Sequence, residues 1–339
     1  MSIQEDDIVE RMKISENYDN CKLCPRNCGI DRGSTHGACG VSSTLKVSRA
    51  ALHMWEEPCI SGTKGSGTVF FSGCSLGCVY CQNQAISRGK AGKEITPERL
   101  TEIFFELEAQ GANNINLVTA DHFLPTVAGA VEAAKDQGIR IPFLLNTSSY
   151  IRVDILKQME GLIDIYLPDM KYIRDEDAVR YSRAPGYPEA AKAAIAEMVR
   201  QQPECVFRPE EEIVLTVGSK VDERYTEGTK ESEEEIRILQ KGVVIRHLLL
   251  PGQLIQAKLI VSYLYRTYGD SVYLSLMNQY TPDHNLLAEN YPEIDRKVTE
   301  QEYHSLIEFA AELGVTRGFM QEGEAADESF IPEFDCRGV

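Results

Sequence analysis

The stretch that decides the fold is GTVFFSGCSLGCVYCQN, residues 67–83. It begins with the apolar run GTVFFS, which predicts a buried β-strand over residues 67–72. Three cysteines follow in a C-x3-C-x2-C spacing: Cys74, Cys78 and Cys81. In a βα barrel, the loop after the carboxyl end of a strand is where reactive groups gather. The stretch therefore predicts a thiol-rich site at the end of the first strand of an α/β fold.

Three thiolates on one tight loop can hold three irons of a cubane [4Fe–4S] cluster and leave the fourth iron without a protein ligand. Such an open metal position is what a reactive site requires, because a substrate or cofactor can coordinate there. Gly73 and Gly77 let the backbone wrap closely around the bound group. The alternatives are a zinc loop with a distant fourth ligand and buried cysteines without metal. A non-catalytic electron carrier would need a ligand on every iron, and this loop offers only three.

Downstream of the loop, short apolar runs alternate with helical patterns. Further strands are predicted at residues 114–119, 141–146, 162–167, 243–249 and 272–277. Helices are predicted at residues 97–110, 124–137, 152–160, 188–201, 254–268 and 299–313. The alternation indicates parallel βα units, and the nearly unbroken apolar character of the strands indicates that both of their faces are covered. Six such units form either a doubly wound sheet or an incomplete barrel, and periodicity does not separate the two.

The composition narrows the class of protein. Of 339 residues, 43% are hydrophobic, which is enough for a sizeable core without disulfides. The net charge of −17 disfavours binding to nucleic acid or to anionic lipid. Neither a signal-peptide pattern nor an apolar run of about 18 residues occurs, so a cytoplasmic location without membrane association is expected. Ten cysteines in a reducing compartment favour metal binding or redox chemistry over disulfides.

A second cysteine group precedes the first strand. CKLCPRNCGIDRGSTHGACG, residues 21–40, has the spacing C-x2-C-x3-C-x10-C and contains Cys21, Cys24, Cys28 and Cys39. Four thiolates suit either a structural zinc or a second iron–sulfur cluster, and both remain open. The surrounding segment is too poor in apolar periodicity to form its own core, so it needs a metal or the main body to fold. Cys59 is an alternative ligand, whereas Cys205 and Cys336 are expected to be ordinary buried or surface thiols.

The chain is predicted to have three parts. Residues 1–62 form a cysteine-rich segment, residues 63–290 the α/β core, and residues 291–339 a C-terminal helix and tail. The core carries an acidic insertion at about residues 210–240. Ten acidic and three basic side chains between Glu210 and Glu235 give it a net charge of −7, which is typical of a solvated insertion.

The three-cysteine spacing and three later segments resemble the motifs of a known family. The three-cysteine spacing, with Tyr80 before the last cysteine, resembles the signature of the radical S-adenosylmethionine (SAM) superfamily, and CVYCQN is close to the form in glycyl-radical-enzyme activases. Three downstream segments follow in the order of the activase motifs: LLNTSSY (144–150), IYLPDMKY (165–172) and VIRHLLLPG (244–252). Together with the N-terminal cysteines, they make the chain similar to the pyruvate formate-lyase activating enzyme-like iron–sulfur proteins.

The resemblance implies a fold and a reaction. The fold is an α/β partial (βα)6 TIM-like barrel, open at one side, with an N-terminal cysteine-rich metal-binding extension. The reaction is reductive cleavage of SAM at a [4Fe–4S] cluster, which gives a 5′-deoxyadenosyl radical for hydrogen abstraction. The implied partners are a glycyl radical enzyme, or another protein, peptide or small-molecule substrate, and a flavodoxin- or ferredoxin-like electron donor.

Polar residues at the strand ends are the candidate SAM contacts. Asp169 and Lys171 occupy alternate positions and therefore share one face, where Lys171 can neutralise a carboxylate and Asp169 can hold the lysine or an ammonium group. The alternative is a surface ion pair. Asn146 and Thr147 end the third strand and can hydrogen-bond the cofactor or a bound cation. Arg246 lies within an apolar strand, where a charge needs a partner, so an active-site role stands beside a structural salt bridge.

One segment departs from the superfamily pattern. Where a Gly-Gly-Glu stretch often follows the second strand, this chain reads VTADHFLP, residues 118–125. Asp121 is the candidate to replace the missing carboxylate, and backbone carbonyls are the alternative. His122 is expected to be simply hydrogen-bonded, and no residue is assigned as catalytic.

Overall fold

The computed structural model describes residues 18–210, 237–320 and 332–339. The N-terminal lead-in before residue 18 and nearly all of the predicted acidic insertion lie outside these residues. Within the described ranges no helix is long and apolar enough to cross a membrane.

The ten strands of the described residues form one sheet. Nine of them are hydrogen-bonded side by side in a single order, and β7 lies outside this order. The strands are β1 Lys46–His53, β2 Ser66–Phe71, β3 Lys93–Glu94, β4 Ile115–Val118, β5 Phe143–Thr147, β6 Ile165–Pro168, β7 Val206–Pro209, β8 Arg237–Leu248, β9 Tyr273–Met277 and β10 Gly318–Met320. Their order is β10-β9-β8-β6-β5-β4-β2-β1-β3, and β7 pairs with β8. The six predicted strands correspond to β2, β4, β5, β6, β8 and β9, and all six are confirmed.

The strand order decides between the two architectures left open by the sequence. From β2 to β10 all neighbouring strands on the path are parallel, and they follow one another in chain order. A doubly wound sheet would reverse its order at a switch point, and this sheet does not. The edge strands β3 and β10 are not paired with each other in the described part of the chain, so the sheet is an open partial barrel. The predicted fold class is confirmed.

The helices fall between the strands as predicted. They are α1 Pro58–Ser61, α2 Gln84–Ser87, α3 Pro97–Ala109, α4 Leu124–Asp136, α5 Val153–Lys157, α6 Asp175–Ser182, α7 Tyr187–Gln201, α8 Leu254–Tyr268, α9 His284–Leu287 and α10 Glu300–Leu313. Local signals explain why the start of α3 was predicted correctly. Thr96 caps the helix by accepting a hydrogen bond from the Arg99 amide, and Pro97 is its first residue. The strongly polar α6 was not predicted.

Strand β1 was also missed, and it matters for the site. It runs antiparallel to β2, and its register shifts between Val47 and Arg49. That bulge interrupts the alternation by which a strand is recognised from sequence. The β1–β2 hairpin crosses the predicted boundary at residue 62, so the cysteine-rich segment contributes a strand that lies between β2 and the edge strand β3. The domain division itself stays a prediction.

The two ends of the acidic segment lie at the amino-terminal edge of the sheet. Glu210 accepts hydrogen bonds from the amides of Thr63 and Lys64, and from the Asn113 side chain at 2.8 Å. On the return, Arg237 begins β8 five residues before Gly242, which pairs with the first residue of β6. The segment is therefore joined to the barrel at the end opposite the carboxyl ends of the strands.

Candidate active site

A cavity of about 270 Å³ opens at the carboxyl ends of the parallel strands. Its lining contains all three cysteines of the loop after β2 and five of the six predicted cofactor-binding residues: Cys74, Cys78, Cys81, Asn146, Thr147, Asp169, Lys171 and Arg246. These residues come from four segments spread over more than 170 positions of the sequence. The fold therefore gathers the predicted thiols and polar groups around one space.

The cysteine loop is shaped by tight backbone contacts. Gly73 has a φ of +88°, and a Cβ at this position would lie 2.8 Å from the carbonyl oxygen of Cys39. The Cys74 amide donates to that same carbonyl at 3.0 Å. Gly77 also has a positive φ of +68°, and a Cβ there would meet the Arg88 guanidinium. Both glycines are therefore required by the conformation of the loop.

The three thiols of this loop are close enough to influence one another. Burial raises the pKa of Cys74 to about 12, and the neighbouring Cys78 and Cys81 raise it further. Burial likewise raises the pKa of Cys81, followed by the effect of Cys78. Thiols in such surroundings ionise when a metal takes up their charge. This donor set of three soft sulfurs facing a cavity suits an iron–sulfur cluster.

Across the described ranges, no three or more His, Cys, Asp or Glu side chains surround a point as a single metal ion requires. This finding covers both cysteine groups. A cubane cluster binds each thiolate to a different iron, so its ligands stand around a body rather than a point. A cluster on the loop after β2 is compatible with this finding.

Asp169 lies at the centre of the polar wall of the cavity. It follows β6 and bridges to β8 at Arg246. Lys171 Nζ lies 2.7 Å from Asp169 Oδ2, and Arg246 Nε lies 3.0 Å from Oδ1. Burial alone would raise the pKa of Asp169, but the charges of Arg246 and Lys171 outweigh it and hold the pKa below its usual value. Asp169 is therefore a carboxylate shared by two cations.

Arg246 uses every nitrogen of its guanidinium within the protein. Besides Asp169, Nη1 donates to Glu56 Oε2 at 3.2 Å and Nη2 donates to Asn146 Oδ1 at 2.5 Å. These contacts tie β8 to β5, β6 and the segment after β1. Arg246 therefore holds the polar wall of the cavity together. These contacts are of the kind expected for the structural salt bridge, which the sequence left open beside an active-site role.

Glu56 is a charged residue of the cavity wall that sequence reasoning missed. It follows β1 and lines the cavity. Its Oε1 accepts from Asn116 Nδ2 at 2.9 Å and from Asn146 Nδ2 at 3.2 Å. The only available signal was the acidic pair in HMWEEP, residues 53–58, which follows a strand that was itself not recognised.

Lys171 has donors beyond its pair with Asp169. An ammonium group has three N–H donors, and Asp169 Oδ2 is its one hydrogen-bond acceptor among the described residues. Burial alone would lower the pKa of Lys171, but Asp169 and then Cys78 raise it above the ordinary value. Lys171 is thus a charged group at the cavity wall beside the cysteine loop.

Asp121 does not line the cavity, unlike the other predicted contacts. It is 1% exposed and lies behind Ser148, whose hydroxyl donates to its Oδ2 at 3.4 Å. Burial raises its pKa to about 7 despite hydrogen bonds from Thr147 and Ser148. His122 is buried next to it, with Nε2 2.8 Å from the Ser72 carbonyl, so the expected hydrogen-bonded role of this histidine holds.

The N-terminal cysteines form a separate group outside the cavity lining. Burial raises the pKa of Cys24 to about 12, and Cys39, Cys28 and Cys21 add to the effect, so the four thiols are near neighbours. Arg32 is fully buried beside them, with Nη1 3.9 Å from Cys21 Sγ and 2.7 Å from the His122 carbonyl. No salt bridge from Arg32 to a carboxylate occurs in the described part of the chain.

The segment that carries these four cysteines packs directly against the cysteine loop. Arg26 donates to the carbonyls of Ser75 and Leu76 at 2.8 and 3.0 Å, and to those of Ser182 and Arg183 at the end of α6. One guanidinium thus bridges the N-terminal segment, the cysteine loop and α6.

Comparison with known proteins places the core of this molecule in a family. Residues 68–209 match the model of the Radical SAM superfamily. The chain thus contains a radical SAM domain, which confirms the superfamily expected from the sequence. This superfamily implies a [4Fe–4S] cluster and SAM as cofactors, and the residues around the cavity fit both. Membership of the pyruvate formate-lyase activating enzyme-like family stays a prediction.

Individual relatives are distant. A protein of Methanocaldococcus jannaschii, described as uncharacterised, is 24% identical over 309 residues, which cover 88% of this chain and 77% of the relative. Among solved structures, Streptococcus suis SuiB bound to S-adenosylmethionine is 11% identical, with a TM-score of 0.42 and coverage of 74% of this chain and 48% of SuiB. The FeFe-hydrogenase maturase HydG from Carboxydothermus hydrogenoformans is 13% identical, with a TM-score of 0.42 and coverage of 77% and 58%. The chain spans about half the length of these two proteins, and the assignment rests on the family match.

Proposed function

We propose that this protein is a radical SAM enzyme whose cluster is held by Cys74, Cys78 and Cys81 and whose substrate loses a hydrogen atom. The observation that carries the proposal is the convergence of these thiols on the cavity walled by Asp169, Lys171 and Arg246. When bound, the cluster and SAM supply one-electron cleavage of a sulfonium C–S bond and a 5′-deoxyadenosyl radical. The protein binds the cluster and SAM, orients the substrate towards them and excludes water from the cavity.

Lys171 is the proposed contact for the carboxylate of SAM. It is charged, it lines the cavity, and it lies near Cys78. Asp169 fixes the ammonium group of Lys171 in place and offers a carboxylate to the amino group of SAM. Asn146 and Thr147 end β5 at the same wall and can hydrogen-bond the cofactor.

Arg246 and Glu56 are proposed to position these groups without touching the cofactor. The guanidinium is occupied by Asp169, Glu56 and Asn146, so it orients the Asp169 carboxylate and the Asn146 amide. Asp121 is proposed to act on the cavity only through Ser148, because it lies behind that residue.

The substrate is proposed to be a glycine residue of a partner protein. The support is the resemblance of CVYCQN and the three downstream segments to the glycyl-radical-enzyme activases. The partner glycine would lose one hydrogen atom from its Cα to the radical that bound SAM supplies, which would give 5′-deoxyadenosine and a glycyl radical. A flavodoxin- or ferredoxin-like donor would supply the electron for SAM cleavage. Modification of another peptide or of a small molecule is the alternative outcome of the same test.

The N-terminal cysteines are proposed to hold a second metal, as zinc or as an iron–sulfur cluster. The four thiols are near neighbours, and Arg32 is buried beside Cys21 with no carboxylate partner among the described residues. A buried cation needs compensating charge, and metal-bound thiolates supply it. Metal analysis of a Cys74/Cys78/Cys81→Ser triple variant distinguishes the two, since residual iron indicates a cluster and zinc indicates a structural site. Absence of both metals contradicts a second site.

The deciding experiment is anaerobic reconstitution followed by incubation with SAM and dithionite. We expect 5′-deoxyadenosine and methionine in equal amounts. A fully loaded protein that forms neither is not a radical SAM enzyme, and a non-catalytic iron–sulfur carrier would then be the better description. Glycyl activation is tested with candidate glycyl radical enzymes by electron paramagnetic resonance. A product on a peptide or small molecule without a glycyl signal overturns the finer proposal alone.

A further inference from the structure

A line of buried hydroxyl groups ends on the sulfur of Cys78. Ser182 Oγ lies 2.9 Å from Cys78 Sγ, Tyr172 OH lies 2.7 Å from Ser182 Oγ, and Tyr80 OH lies 2.7 Å from Tyr172 OH. Ser182 and Tyr172 are fully buried, and Tyr80 is 8% exposed. These residues come from α6, from the segment after β6 and from the cysteine loop, so only the tertiary structure brings them into line.

The direction of this line is fixed once Cys78 binds a metal. A metal-bound thiolate carries no proton and can only accept a hydrogen bond. The hydroxyl group of Ser182 then uses its one hydrogen to donate a hydrogen bond to the sulfur. Ser182 must therefore accept a hydrogen bond from Tyr172, and Tyr172 must accept one from Tyr80. Each hydroxyl group polarises the next, which strengthens the bond that reaches the sulfur.

The line is held in register by the surrounding backbone. Val79, next to Cys78, donates its amide to the Tyr181 carbonyl at 2.8 Å. Arg26 donates to the carbonyls of Leu76 and Ser182. The cysteine loop and the end of α6 are thereby tied together on both sides of the Ser182–Cys78 contact.

We infer that Ser182, backed by Tyr172 and Tyr80, raises the reduction potential of the cluster held by Cys78. Reduction adds negative charge to the cluster, and a hydrogen bond to a ligand sulfur stabilises that charge. The three hydroxyl groups thus act as positioning residues that ease delivery of the electron needed for SAM cleavage. The inference rests on the proposed function, because it requires a cluster on Cys78.

The test is a redox titration of the reconstituted protein without SAM. The electron paramagnetic resonance signal of the reduced cluster monitors the titration. We expect Ser182→Ala to lower the potential, so that the reduced fraction at a fixed donor potential falls about fivefold. Tyr172→Phe lowers it less, and Tyr80→Phe least. Ser182→Thr, which keeps a hydroxyl group, restores the wild-type value.

The matched control is Tyr280→Phe. Tyr280 packs against Tyr80 with ring centroids 6.0 Å apart, but its hydroxyl donates to the Ile294 carbonyl and stands outside the line. This variant should leave the potential unchanged. A second readout is the iron–sulfur stretching band in resonance Raman spectra, which should shift on exchange into D2O in the wild type and lose that shift in Ser182→Ala.

The outcomes separate this inference from the proposed function. If Ser182→Ala incorporates little of the cluster, Tyr172→Phe serves as the test instead. It keeps the contact between Ser182 and the sulfur of Cys78 and interrupts the line of hydroxyl groups behind it. Unchanged potentials in the Ser182 and Tyr172 variants overturn the inference while the cluster remains. If Cys78→Ser loads the same cluster as the wild type, the proposed cluster ligation fails instead.

Discussion

The two cysteine groups of this chain are alike in composition and differ in surroundings. Both are rich in glycine and lack apolar periodicity. The loop of Cys74, Cys78 and Cys81 lies at the carboxyl end of β2 and faces the cavity with Lys171 and Asp169. The N-terminal group lies outside the cavity lining, with the buried Arg32 beside it. Cysteine spacing alone does not separate the two groups, whereas position at the strand ends distinguishes the group that is proposed to hold the reactive cluster.

The two regions are also mechanically joined. The Cys39 carbonyl accepts a hydrogen bond from the Cys74 amide, and Arg26 reaches from one region to the carbonyls of the other. A change in the N-terminal group can therefore alter the shape of the loop of Cys74, Cys78 and Cys81 through these contacts alone. Variants in each region separate these two kinds of effect.

The largest expected effect is the loss of SAM cleavage in Cys78→Ser. Removing one of three ligands of the cluster should reduce 5′-deoxyadenosine formation to the background of cluster-free protein. The matched control is Cys28→Ser in the N-terminal group, which should retain turnover. Equal loss in both variants, with wild-type iron content at the loop, would break the distinction between the two groups.

Lys171→Met should weaken SAM binding by about tenfold to a hundredfold, because a charged hydrogen bond to a carboxylate is lost. The KM for SAM reports the change, and so does the fluorescence of Trp55, the single tryptophan, which lines the cavity. Lys135→Met is the control, since Lys135 pairs with Asp164 at 3.3 Å away from the cavity. An unchanged affinity in Lys171→Met would remove this residue from the cofactor site.

Asp121→Asn should change how stability depends on pH. The pKa of Asp121 is raised to about 7 in the folded protein from an ordinary value of 3.8. Its contribution is fully present below about pH 4 and is lost as the pH rises through about 7, by up to about 4 kcal/mol. Urea unfolding of both proteins between pH 5 and 8 should show the wild type losing stability relative to the variant. Parallel curves would mean that Asp121 is ionised in the fold.

Arg32→Met should lower the free energy of unfolding by about 3 kcal/mol, because the buried carbonyl of His122 loses its donor. It should also lower the metal content of the N-terminal group if thiolates are the partner of the guanidinium. Arg32→Lys keeps the charge and should recover part of both. Full stability and full metal content in Arg32→Met would show that the cation is not needed there.

Much of the site was visible in the sequence because its signals are local. The apolar run before Cys74, the spacing of the three cysteines, and the alternate positions of Asp169 and Lys171 each depend on neighbouring residues. Strand β1 was not visible, since a bulge disturbs its alternation. Glu56 was lost with it, because nothing within its own segment indicates a partner 190 positions away.

The sequence by itself determined six βα units, the cysteine loop and the charged pair after the fourth predicted strand, since periodicity and spacing are properties of short segments. Only the tertiary structure decided that the sheet keeps chain order as an open barrel and that Arg246 is occupied by Glu56, Asp169 and Asn146. It also placed Asp121 behind the cavity wall and Ser182 on Cys78. The physical reason is that these contacts join segments far apart in the chain, and their pairing depends on how the strands pack.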